Sequence, residues 1–173
     1  RFISESAKNG KPFLAYISTN APHGPFHCPE KYMDLYKGQS PTIQAFYGMI
    51  TNIDENVGTT RQLLKDLGIY EDTIFIFTTD NGTARGKSVF NAGMRGQKGS
   101  EYDGGHRVPL FLHWPKAGMA EKRIMDTLCH AVDVAQLCLN LSEPTNPRDI
   151  ILMATPLNHC WRGNRRAGPT VCW

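Results

Sequence analysis

Three short signals in this sequence have the residue types for chemistry on an anion. Asp80-Asn81-Gly82 ends the apolar run "TIFIFTT". A carboxylate beside an amide carbonyl offers hard oxygen donors, the kind that Ca²⁺ or Mg²⁺ takes. The same triplet also suits an Asx-type turn, with Asp80 bonding its own backbone and Gly82 free to adopt positive φ. Lys98 stands in "RGQKGSEYDGG" between glycines. Glycines let a backbone approach a ligand closely, and a lysine ammonium is a compact charge for an oxyanion. A solvated surface lysine would look the same. His23 in "APHGPF" lies between Pro22 and Pro25, which restrict its backbone. It suits a general acid or an oxyanion donor, or a purely structural role. His27 is the weaker neighbour, because nothing comparable fixes it.

These residues need elements to hold them. "RFISESAKNG" reads as the end of a helix and a turn, and "KPFLAYIS", 11 to 18, as a buried strand. Residues 19 to 32, with three prolines and a glycine, form a loop. From 41 to 67, Ile43, Phe46, Tyr47, Ile50, Ile53, Val57, Leu64 and Leu67 recur at helical spacing and predict one apolar stripe. Pro41 fits the first turn of that helix, and Gly68 fits its C-terminal cap. "TIFIFTTD", 73 to 80, is almost continuously apolar, as strands covered on both faces are. "RVPLFLHWP", 107 to 115, predicts another strand, and "AVDVAQLCLNL", 131 to 141, a short helix. The order is that of an α/β domain. Asp80 and Asn81 then lie at the carboxyl end of a strand, where open α/β sheets bind ligands. From about 142 no period of 2 or 3.6 is sustained, and residues 142 to 173 do not fit the α/β order.

Composition limits the classes available. The chain has 173 residues, 40% hydrophobic and 20% charged, which suits one globular domain. A net charge of +3 gives no reason to expect a nucleic-acid or membrane-surface partner. No apolar run approaches the roughly 18 residues of a membrane span. Cys28, Cys129, Cys138, Cys160 and Cys172 are odd in number and form no C-x-x-C or zinc spacing, so free or buried thiols are expected over a disulfide framework.

"TNAPHGPFHCPEKYMDLYKG", "FYGMITNIDENVGTTRQLLKDLGIYEDTIFIFTTDNG" and "MRGQKGSEYDGGHRVPLFLHWP", in that order, resemble the type I sulfatases of the alkaline phosphatase superfamily. The likeness covers roughly residues 10 to 140. It implies an alkaline-phosphatase-like α/β fold, a mainly parallel sheet flanked by helices, present here as a partial domain spanning 1 to 141. It implies sulfate ester hydrolysis on a small molecule or a sulfated carbohydrate. Asp80 and Asn81 resemble two ligands of the active-site cation, Ca²⁺ or alternatively Mg²⁺. Lys98 resembles the lysine that contacts the sulfate, and His23 the histidine near the leaving oxygen. Gly104 and Gly105 resemble the family's turn back into the sheet. A periplasmic, secreted or lysosomal setting follows from the family.

The sequence also departs from the pattern. The family's nucleophile is a formylglycine made within C/S-x-P-x-R, and no cysteine or serine here fits; Cys28-Pro29 is followed by Glu30. The family places that motif and a pair of metal-binding aspartates upstream of the histidine loop. The expectation is therefore an inactive isolated chain whose nucleophile is supplied by a missing N-terminal part. Two other readings stay open: a phosphodiesterase or phosphonate hydrolase of the same superfamily, and a non-catalytic pseudoenzyme or truncated product. The tail departs too. Back-translated and read two bases along, residues 152 to 173 can spell the family's usual continuation. Residues 142 to 173 are thus either frameshifted or disordered, or a divergent extension.

Overall fold

The computed structural model describes residues 1–125, 127, 129–141 and 149–154. In chain order they form α1 (Phe2–Lys8), β1 (Leu14–Ser18), α2 (Glu30–Met33), α3 (Pro41–Asp66), β2 (Thr73–Thr78), α4 (Asp103–His106), β3 (Leu110–His113), α5 (Ala131–Leu141) and β4 (Asp149–Ala154). The four strands make one sheet in the order β1-β4-β2-β3. β4 runs parallel to both β1 and β2, while β3 is antiparallel on the edge. This is the expected mixed α/β fold, mainly parallel and flanked by helices.

The alternation of a strand explains the two cores. Successive side chains of β2 point to opposite faces. Phe75 joins Phe13, Ala15, Leu64 and Ile151 on one face, where α1 and α3 contribute Ile3 and Val57. Ile74 and Ile76 join Leu110 and Ile150 on the other, where α5 contributes Val134, Leu137 and Cys138. Both faces being covered, the run has to be apolar throughout, and Ile74 and Ile76 are fully buried.

α3 has the predicted boundaries. Pro41 occupies its first turn, where a missing N–H costs nothing. At its end, Gly68 takes φ 71°, its N–H bonds Lys65 O, and Ile69 N–H bonds Leu64 O. Those two bonds satisfy carbonyls that the last turn leaves open, and Leu64 and Ile69 share one apolar cluster. One stripe residue departs from expectation: Ile50 is exposed, because the middle of α3 faces a cleft.

The strand β4 is the main difference from the sequence reading, which left 142 to 173 outside the α/β order. Residues 149–154 instead lie between β1 and β2, with Ile150 and Ile151 buried on opposite faces. Six residues in a segment without periodicity give too short a signal to separate from a loop. The frameshift or disorder expected for the tail otherwise concerns 142–148 and 155–173, which lie outside the described residues.

Candidate functional site

The candidate site is a cleft of about 1070 Å³ between α3 and the α3-facing side of β2 and β3. His23, Asp80, Asn81 and Lys98 all line it. Three separate stretches of sequence thus meet in one place.

The histidine loop is held down on α3. Phe26 meets Phe46 edge to face, with ring centroids 5.9 Å apart. Cys28 packs so closely on Gly48 that a Cβ there would lie 2.6 Å from its sulfur. Tyr32 is buried, accepts from Asn52 Nδ2 at 3.0 Å and donates to Glu55. Within the loop, His23 N–H bonds Asn20 O at 2.9 Å. The His23 ring itself is exposed, and its Nδ1 lies 2.7 Å from Gly24 O. A carbonyl only accepts, so Nδ1 carries the hydrogen there and Nε2 is left to face other groups. His27 lines a smaller pocket with Cys28 and Met33, apart from the cleft.

The long loop between β2 and β3 folds back on itself through backbone contacts. Lys98 N–H bonds Thr83 O at 3.1 Å, which ties the lysine to a point three residues past Asp80. Gly82 N–H bonds Gly105 O, Gly104 N–H bonds Arg95 O, and Gly105 N–H bonds Tyr102 O. These strands of loop are too close for side chains: a Cβ at Gly82 would fall 1.8 Å from Gly104 O, and one at Gly105 2.1 Å from Ser100 O. Gly96 and Gly99 adopt φ 84° and 86°, the left-handed bends that turn the chain around Lys98. α3 supports this loop as well, since Tyr47 Oη donates to Gly86 O at 3.4 Å.

The loop therefore carries Lys98 half-buried with no carboxylate partner among the described residues. Other residues of the cleft were not singled out from sequence: Arg107, 3.9 Å from Asp103, and Arg85 and Phe90 on the loop between Gly82 and Lys98. Arg107 directly follows the "DGGH" turn, and that adjacency was the available signal. Arg85 and Phe90 gave none. Asp80 and Asn81 are the two oxygen donors at the strand end. No group of three or more His, Cys, Asp or Glu side chains able to hold a metal ion gathers among the described residues. Two donors fall well short of the six to eight oxygens of Ca²⁺, so these residues do not by themselves fit a resident divalent cation. Cys28 and Cys138 are free thiols, and burial pushes both upward in pKa.

Among protein families, the sulfatase model matches residues 1–142, which is most of the chain and includes all four site residues. The chain belongs to the sulfatase family. β4 lies outside the matched residues. The chain is 31% identical over 145 residues to the uncharacterized sulfatase YdeN of Escherichia coli, across 82% of this chain and 26% of that protein. It is 27% identical over 166 residues to the ulvan-active sulfatase of Formosa agariphila, across 86% of this chain and 32% of that protein. Among solved structures, Ps i-CgsB in complex with k-i-k-neocarrahexaose superposes with a TM-score of 0.67 at 31% identity, over 73% of this chain and 28% of that one. The chain thus spans between about a fifth and a third of the length of the relatives it matches.

Proposed function

We propose that this chain carries the sulfate-binding rim of a sulfuric ester hydrolase that acts on sulfated carbohydrate. One observation carries the reading: His23, Asp80, Asn81 and Lys98, from three separate stretches of sequence, line a single cleft against β2 in a chain of the sulfatase family. The choice of carbohydrate draws on two similar proteins, one named for activity on ulvan and one solved with a neocarrahexaose.

In this reading each side chain has a role set by its chemistry. A sulfate ester holds negative charge on its nonbridging oxygens, and cleavage builds more on the leaving oxygen. The Lys98 ammonium, held in place through its backbone bond to Thr83, binds a nonbridging oxygen. His23, its Nδ1 turned to Gly24 O, presents Nε2 to the leaving oxygen and can give a proton there only from the doubly protonated ring. Lys98 holds charge that the ester already carries, while His23 acts on charge that grows during the reaction, which is where binding accelerates chemistry. Asp80 and Asn81 would offer two oxygen ligands to a divalent cation, which needs further ligands that the described residues do not gather. The nucleophile is a formylglycine supplied by another part of the protein.

Calorimetric titration of the 173-residue chain with inorganic sulfate tests the rim. The expected result is weak binding that Lys98→Met and His23→Ala each reduce. Equal binding by all three proteins would overturn the assignment. Turnover of an aryl sulfate by the chain alone would overturn the claim that its nucleophile lies elsewhere.

A further inference from the structure

We propose that Phe90 and Arg85 are specificity-determining residues that receive the sugar ring next to the sulfated one, Phe90 as a stacking face and Arg85 as the contact for a second sulfate. The inference rests on the reading of the cleft as a sulfate ester site.

Phe90 is the most exposed large hydrophobic side chain among the described residues, at 72%. A phenyl ring held in water forgoes burial worth about 2 kcal/mol, and this one is not on a loose loop. Gly86 O accepts from both Val89 N–H and Phe90 N–H at 3.0 and 2.9 Å. Gly86 N–H bonds Thr83 Oγ1 at 2.9 Å. Asn91 Nδ2 donates to Met94 O at 2.8 Å and Gly96 O at 3.0 Å. The loop that fixes Lys98 at one end therefore presents Phe90 in its middle, and both line the same cleft.

The chemistry of the cleft selects the occupant. Of its charged lining, Arg61 is engaged by Tyr70 and Arg107 by Asp103, while Lys98 and Arg85 have no carboxylate partner among the described residues and favour an anionic occupant. Arg85 is exposed and has no carboxylate partner among the described residues. A guanidinium offers paired N–H donors that match the oxygens of a sulfate. A purely apolar partner would leave Arg85 and Lys98 unused, and a bare polyanion would leave the phenyl ring unused. A sulfated oligosaccharide uses both, since a pyranose has a C–H face for the ring and anionic substituents at its rim. Such contacts lie away from the scissile bond and position the chain by remote binding.

The test is titration of the 173-residue chain with a sulfated galactan hexasaccharide, its chemically desulfated counterpart and inorganic sulfate. Phe90→Ala is expected to weaken the hexasaccharide about tenfold, a loss of about 1.4 kcal/mol, and to leave inorganic sulfate unchanged. Phe90→Trp retains binding. Arg85→Gln weakens the sulfated hexasaccharide and not the desulfated one. Because both side chains are exposed, the variants should keep the wild-type melting temperature. If Phe90→Ala binds the hexasaccharide like wild type while Lys98→Met does not, the stacking face is wrong and the sulfate rim stands. A wild-type chain that binds sulfate but no hexasaccharide also overturns this inference alone. If the chain binds neither, both fall.

Discussion

The two ends of β2 are built in opposite ways. At the amino end, side chains hold one another. Thr73 Oγ1 donates to Ile69 O at 2.7 Å, Arg61 Nη2 donates to Tyr70 Oη at 2.6 Å, and Tyr70 Oη lies 3.1 Å from His113 Nε2. The Tyr70 and His113 rings pack 4.9 Å apart, and Lys65 stands over the Tyr70 ring. At the carboxyl end the contacts are mostly backbone to backbone, through Gly82, Gly104, Gly105 and the Lys98 N–H. The first arrangement consumes its polar side chains in stability. The second spends main-chain groups on stability and leaves the Lys98 ammonium and the His23 ring facing the cleft. Where a protein needs reactive side chains on a fixed frame, closely packed glycine backbone provides it.

Gly82→Ala breaks that contrast most severely. Its Cβ would overlap Gly104 O, a backbone atom that cannot swing aside. The expected cost is about 3 kcal/mol or a local opening of the rim, at the upper end of ordinary single substitutions. Urea denaturation gives the first, and hydrogen exchange at Lys98 and Gly105 gives the second. A stable Gly82→Ala chain with unchanged exchange would show that the rim is not held by this contact.

Tyr70→Phe probes the other end. It removes the hydroxyl that accepts from Arg61 and meets His113, and should cost about 1 kcal/mol in urea denaturation, with sulfate binding unaffected. A matching loss of sulfate binding would mean that the two ends are coupled.

How much of this was legible in sequence follows from the range of each interaction. α3 was readable to its last turn because its signals are local: Pro41, the stripe, and Gly68 with its positive φ. β2 was readable because burial on both faces makes it apolar at every position. The antiparallel direction of β3 and the insertion of β4 between β1 and β2 depend on pairing between distant segments, which no local pattern encodes. The same holds at the site. The residue types of His23, Asp80, Asn81 and Lys98 were visible, but the backbone bond that ties Lys98 to Thr83 was not. Phe90 was invisible because an exposed phenylalanine and a buried one are the same letter.

A smaller effect distinguishes the ends by pH. Burial, and then the Arg61 guanidinium, lower the His113 pKa below its ordinary 6.5; Lys65 adds to this and Glu71 opposes it. The hydrogen bonds agree with the direction. Arg61 occupies the Tyr70 oxygen, so the Tyr70 proton is available to His113 Nε2, and protonating the ring would displace it. His113 Nδ1 is buried without a partner, so a charged ring gains nothing there. Folding thus favours the neutral ring. Its contribution to stability is complete above about pH 6.5 and declines as pH falls through that value toward the lower folded one. Urea midpoints at about pH 7.5 and about pH 5 should differ in that direction, and His113→Asn should remove that part of the difference. A midpoint that rises on acidification in the wild type and not in the variant would reverse the assignment.

The smallest expected change in stability is at Lys98, and it bears most directly on the comparison. Replacing this lysine with Met keeps the length of the side chain and the N–H that bonds Thr83 O, and removes only an ammonium that no carboxylate engages among the described residues. The unfolding free energy should therefore move by less than about 0.5 kcal/mol. Sulfate binding, in contrast, should be lost. If Lys98→Met instead destabilises the chain by as much as Tyr70→Phe, then the ammonium is part of the frame, and the carboxyl end of β2 is built like the amino end. If stability holds and sulfate binding disappears, the charge at that end serves the ligand alone, and the glycine-clamped backbone is what holds it there.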